Sequence, residues 1–221
     1  MRTEPGGGTP ESATFAHALG ELKRNGSTIL LVGEGAGAAH STACRRLIGE
    51  SSSDTQYRLV VTASEPICAI VPNSADAVDH PHSDKPMVIE HAVSSGNAGI
   101  DGEIRSLGEL GMAVIEAINE FDAEADGLEP SELRVCIDSL VPLLETHSAE
   151  SVFRVVHMTT SRIRQVKGMG HVHLPLDRDH DTVNLFEPLF DAMVEVRTDV
   201  DAPKQRWHLR HHEATSEWVD I

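Results

Sequence analysis

The residues best placed to do chemistry lie in 27-STILLVGEGAGAAHSTACRRLIGE-50. An apolar run, a glycine-rich turn and a helix-like stretch follow one another there, which is the order of a phosphate-binding loop. In such a loop, written G-x-x-x-x-G-K-[ST], glycines let backbone amides curl round the phosphates. The lysine neutralises the terminal phosphate and the hydroxyl residue holds magnesium. Two registers fit. Counted from Gly33, Ala38 stands for the second glycine, Ala39 for the lysine and His40 for the hydroxyl residue. Counted from Glu34, that residue replaces the first glycine, Ala39 the second, His40 the lysine, and Ser41 keeps the hydroxyl. Neither register contains a lysine. A charge-assisted hydrogen bond contributes roughly 1.5–3 kcal/mol, whereas a helix N-terminus offers an anion only ~0.5–1 kcal/mol. Glu34 would oppose an anion nearby. Hydrolysis therefore suffers more than binding, and the turn reads as a connector or as a vestigial nucleotide site built from Gly33, Gly35, Gly37, His40 and Ser41.

A second element is Asp138, which closes 133-LRVCIDS-139. An apolar strand ending in Asp is how a Walker B strand presents the carboxylate that orders magnesium through water. A strand-end Asp also often caps the next helix. Glu90, at the end of another strand, reads as a solvent-facing polar residue, with orientation of a water as its sharper role. His171 and His173 alternate on one strand face, a spacing that can ligate a metal, but the sequence offers no evident third ligand. His80 and His82 lie in a loop, and His208, His211 and His212 read as solvated. Arg162 and Arg164 read as ionic contacts rather than as a finger reaching a neighbouring subunit's nucleotide. No G-x-S-x-G or H-E-x-x-H occurs.

These residues need elements to hold them. Apolar spacing predicts a helix over 11–26, with Phe15, Leu19 and Leu22 inward and Asn25-Gly26 as its stop. The run 28–32 suits a strand buried on both faces of a parallel sheet. A helix over 41–49, with Ser41 as cap and Gly49 as stop, follows. Further strands are expected at 58–63, 87–93, 133–139, 171–176 and 192–198. Helices are expected at 106–121, 149–167 and 181–190, and Gly168 and Gly170 should end the second of these. The Phe153/Val156 face of that helix reads as core. Segments 205–211 and 215–221 read as an antiparallel edge pair, and 1–10 as a disordered leader. Strands alternating with helices predict one α/β domain over 11–221, a mainly parallel sheet covered on both faces.

Composition narrows the functional classes. The chain of 221 residues carries 35 acidic residues against 18 Lys and Arg, a formal charge of −17. Such a surface repels nucleic-acid phosphates and anionic lipids, so neither direct nucleic-acid binding nor a membrane partner is expected. Few lysines beside many carboxylates point to a salt-loaded cytoplasm, where screening is severe. Cys44, Cys68 and Cys136 form no C-x-x-C and read as small buried hydrophobes in a reducing compartment.

Five segments carry a family likeness: 14-TFAHALGELKRNGSTILLVG-33, 134-RVCIDSLVPLLE-145, 152-VFRVVHMTTSRIR-164, 186-FEPLFDAMVEVR-197 and 205-QRWHL-209. Together they resemble the RecA/KaiC-like superfamily, nearest to a haloarchaeal KaiC-like group of unknown function with a degenerate phosphate loop. The resemblance implies a RecA-like core in which active members bind phosphate through the loop lysine and order magnesium through the strand-end Asp. Here only Asp138 matches its motif position. The expectation is a non-catalytic, pseudo-ATPase module acting through a protein partner in signalling or regulation, with self-assembly open and no cofactor. The alternative is an ATPase with an atypical loop that takes ATP and magnesium.

Overall fold

The computed structural model describes residues 10–49, 57–62, 86–91 and 106–221. In chain order the elements are α1 (Pro10–Asn25), β1 (Ser27–Val32), α2 (Gly37–Leu47), β2 (Tyr57–Thr62), β3 (Met87–Glu90), α3 (Leu107–Glu124) and β4 (Leu133–Ile137). Then come α4 (Val141–Thr146), α5 (Ala149–Gln165), β5 (Met169–Leu174), α6 (Asp181–Phe186), β6 (Ala192–Arg197), β7 (Lys204–Leu209), β8 (Ala214–Thr215) and β9 (Val219–Asp220). The strands form a single sheet in the order β3-β2-β4-β5-β1-β6-β7-β8, with β9 also on β7. The six strands from β3 to β6 run parallel, and β7 to β9 pair antiparallel. This is the mostly parallel α/β sheet with antiparallel C-terminal strands that the alternation of elements implied.

Continuous apolar runs make the central strands, because both of their faces are covered. Every residue of β1, β4 and β5 is buried. Alternation then sends side chains to two different cores. Leu30, Val32, Val135, Ile137, Val172 and Leu174 face the core formed with α3 and α5. The stripe Leu107, Leu110, Val114, Ile118 and Phe121 supplies the α3 side of it, and Val152, Val156, Ile163 and Val166 supply the α5 side. Phe153 is half-buried against the same core. On the opposite face, Ile29 and Leu31 meet Ala18 of α1, Ala36 at the start of α2, and Ala39 and Ala43 within it.

Several expected boundaries move: the strand expected at 171–176 runs Met169–Leu174 and the helix expected at 181–190 stops at Phe186, and two further shifts have a clear local cause. Helix α2 starts at Gly37 with Ala36 as its N-cap, so Ser41 sits inside the helix and caps nothing. The turn after β1 needs only four residues, and Gly-Ala-Ala-His can already be helical. Gly170 does not end α5; it lies within β5. The α5 terminus is formed by Lys167 in a left-handed conformation, φ 53°, and by the Gly168 amide donating to the Ile163 carbonyl, an arrangement that closes the last helical turn. Gly170 instead permits close helix approach: a Cβ there would lie 2.7 Å from Ile163 Cδ1. Of the leader expected over 1–10, Pro10 instead opens α1 and residues 1–9 lie outside the described residues, as do Cys68, His80, His82 and the strand residues beyond His91.

Candidate functional site

The C-terminal ends of parallel strands open on one edge of a sheet, where α/β proteins commonly place ligands. Here β1 and β4 flank β5, so the glycine turn and Asp138 both come to that edge. Gly33 follows β1 at φ 144°, and a Cβ on it would lie 2.2 Å from the Val196 carbonyl oxygen. Only glycine fits so close to the β6 backbone. Gly35 takes φ 65° in open space, and Gly37 begins α2. Glu34 and Gly35 are exposed at the tip of the turn, and Ser41 is half-buried.

His40 does not face the edge. It is fully buried beneath the turn, on the side of α2 that packs on the sheet. Its Nε2 lies 2.9 Å from the Gly33 carbonyl oxygen, and its Nδ1 lies 3.1 Å from Nδ1 of His173. A carbonyl only accepts, so Nε2 of His40 carries the proton and donates. Burial lowers the pKa of His40, partly offset by that carbonyl, so the ring is neutral and its Nδ1 is a lone pair. His173 must then donate from Nδ1, which leaves its Nε2 as the bare nitrogen. That Nε2 is buried with no hydrogen-bond partner among the described residues.

His173 also belongs to a wider cluster. His171 and His173 share a face of β5 by strand alternation. Cys136 is the register partner of His171 across β4 and β5. Cys44 lies four residues after His40, on the same face of α2. Ligand atoms of Cys44, Cys136, His171 and His173 all lie within 4.8 Å of one another. Cys44 Sγ is 3.7 Å from Cys136 Sγ and 3.3 Å from His171 Nε2. All four residues are at most 2% exposed. Burial, then Arg134, lowers the pKa of His171 to about 3. Burial, then His171 and His40, holds that of His173 well below its ordinary value. Burial, then Asp138, raises the Cys136 thiol. Cys136 is a free thiol. Cys44 is disulfide-bonded, which differs from the expectation of an inert small hydrophobe.

The other expected residues separate. Asp138 is buried just beyond β4, its amide donating to the Val61 carbonyl at 2.9 Å. Glu90 is exposed. Arg162 binds Asn119 and Asp122 on α3, and Arg164 Nη1 reaches Thr28 Oγ1 at 2.8 Å and the Leu189 carbonyl at 3.0 Å. Both arginines tie elements of this chain together. His208 and His212 are half-buried beside Glu195 and Glu21, respectively, while His211, beside Asp191, is mostly exposed.

Sequence reasoning saw the His171/His173 alternation and missed the partners that complete it. The missed signal was present as two further spacings, His40-x-x-x-Cys44 and Arg134-x-Cys136-x-Asp138. Each puts polar residues on one face of an element otherwise apolar enough to be buried. Pairing three such faces required the sheet order.

A family model described as a family of unknown function (DUF7504) matches residues 26–196. That span holds the six parallel strands, except the last residue of β6, and every residue of the cluster. No curated protein matches the chain.

Proposed function

The chain belongs to the DUF7504 family, a family of unknown function, and from that premise we propose that it is a non-catalytic RecA/KaiC-like module. It acts by protein–protein contact in signalling or regulation, in the cytoplasm of a halophilic archaeon. The observation that carries this reading is the orientation of His40. In the register where it replaces the lysine, its imidazole points into the protein, is neutral, and is bound to the Gly33 carbonyl. It offers no positive charge to a phosphate outside the turn, and Glu34 at the tip repels one. Phosphoryl transfer depends on stabilising charge on the transferred group, so loss of that countercharge favours a binding role over turnover.

The RecA-like part of the proposal is supported by the placement of the glycine turn and Asp138 at one sheet edge, on strands separated by β5. The resemblance of five segments adds to it. The test is ATP turnover by the purified chain in molar KCl with magnesium. The expected outcome is no hydrolysis above a protein-free blank. Magnesium-dependent hydrolysis that Asp138→Asn abolishes would overturn the proposal in favour of an ATPase with an altered loop. Equilibrium binding of a labelled ATP analogue then asks whether nucleotide still binds at Gly33, Gly35, Gly37 and Ser41.

A further inference from the structure

We propose that Cys44, Cys136, His171 and His173 form a closed tetrahedral zinc site in the reduced protein, beneath the glycine turn and independent of any nucleotide. Geometry comes first. Zinc holds thiolates at about 2.3 Å and imidazole nitrogens at about 2.0–2.1 Å, so a tetrahedral site has sulfur–sulfur edges of roughly 3.8 Å and sulfur–nitrogen edges of roughly 3.5 Å. The observed separations are 3.7 Å between the two sulfurs and 3.3 Å from Cys44 Sγ to His171 Nε2. Four donors of this kind, two thiols and two imidazoles, make the ligand set of a structural zinc.

The second observation is the orphaned Nε2 of His173. A buried polar atom without a partner is costly, and here the hydrogen-bond chain fixes it as a lone pair. The Gly33 carbonyl sets the tautomer of His40, and His40 sets that of His173. Metal-bound histidines are typically oriented by such a hydrogen bond from the other ring nitrogen. Charge is the third argument. Two thiolates cancel the charge of Zn2+, so the loaded site is neutral and tolerates complete burial.

Cys44 must enter as a thiolate. A dithiol reductant supplies the two electrons: it closes to its own disulfide while Cys44 and its bonded sulfur each leave as a thiol. Zinc then displaces the protons of Cys44 and Cys136. Oxidation by a disulfide reverses the first step and removes one ligand, so occupancy follows the redox poise of the compartment.

The experiment uses the full chain, purified without chelator under a dithiol reductant and analysed for zinc. Cobalt is then substituted to report ligation directly. The expected result is a single zinc per chain. The cobalt form should show tetrahedral ligand-field bands and a thiolate-to-cobalt charge-transfer band. Cys136→Ser should weaken that band, and His173→Asn should lower metal affinity at least tenfold. Reduced wild type that stays metal-free after dialysis against zinc would overturn the proposal. So would a cobalt spectrum without thiolate charge transfer, a result that needs no variant to fold. ATP turnover plays no part in these readouts, so this proposal and the functional one fail separately.

Discussion

At Gly33 the backbone sits at φ 144° with the Val196 carbonyl oxygen 2.2 Å from where a Cβ would be. Two turns of phrase in the same loop, Gly33 and Gly35, therefore have different physical weights. Gly33→Ala must move backbone of β1 or β6 and adopt a conformation reserved for glycine, so it should cost roughly 2–4 kcal/mol. Gly35→Ala meets nothing within 4 Å at φ 65° and should cost only about 1 kcal/mol, the price of a left-handed residue. Denaturant midpoints of the two variants measure the difference, and equal losses would contradict it. The sequence marked both glycines as parts of a phosphate cradle. Packing makes the first of them an obligate contact between β1 and β6, whatever the loop binds. His40 underwent a larger change: as a stand-in for lysine it would face outward, yet it lies inward as the hydrogen-bond link between the turn and His173.

At the scale of elements, one carboxylate fastens three segments. Asp191, just before β6, accepts from the Thr28 amide at 2.8 Å and the Thr28 hydroxyl at 3.1 Å, and Arg164 of α5 joins the same oxygen at 3.4 Å. Asp191→Ala leaves the buried Thr28 amide and a half-buried guanidinium short of a partner. It should destabilise the chain by roughly 2–3 kcal/mol. The capping box at Ser106 and Glu109 is exposed, and Ser106→Ala should cost about 1 kcal/mol. Urea unfolding of both variants tests that order. The α3 stripe and the buried β1 and β4 runs were legible because a 3.6-residue period and an unbroken apolar run each admit few folded states. The start of α2 was not. Ser41 looks like a cap in isolation, but the turn is complete by Ala36, and nothing local to Ser41 reports that.

Across the whole molecule, charge of −17 opposes the compact state through self-repulsion, and added ions screen it. The midpoint of thermal unfolding should rise steadily from low salt to molar KCl; a fall over that range would argue against the salt-loaded setting. None of the helices among the described residues is long and apolar enough to cross a membrane. Burial of polar groups also has a whole-molecule pattern. Arg134, Cys136 and Asp138, His171 and His173, and His40 and Cys44 gather between α2 and the middle of the sheet, while the other face of the same strands is apolar.

Apolar periodicity determined that strands and helices alternate and that the central strands are buried on both faces, and composition determined that the surface is acidic, because these properties need no knowledge of which distant residues meet. Tertiary structure decided which side chains meet. The distance from Cys44 to Cys136 or His171 along the chain exceeds ninety residues, and only the insertion of β5 between β1 and β4, with α2 laid over them, brings their donor atoms together. Such contacts depend on strand order, and strand order is fixed by how the whole sheet covers its two faces rather than by any local run of residues.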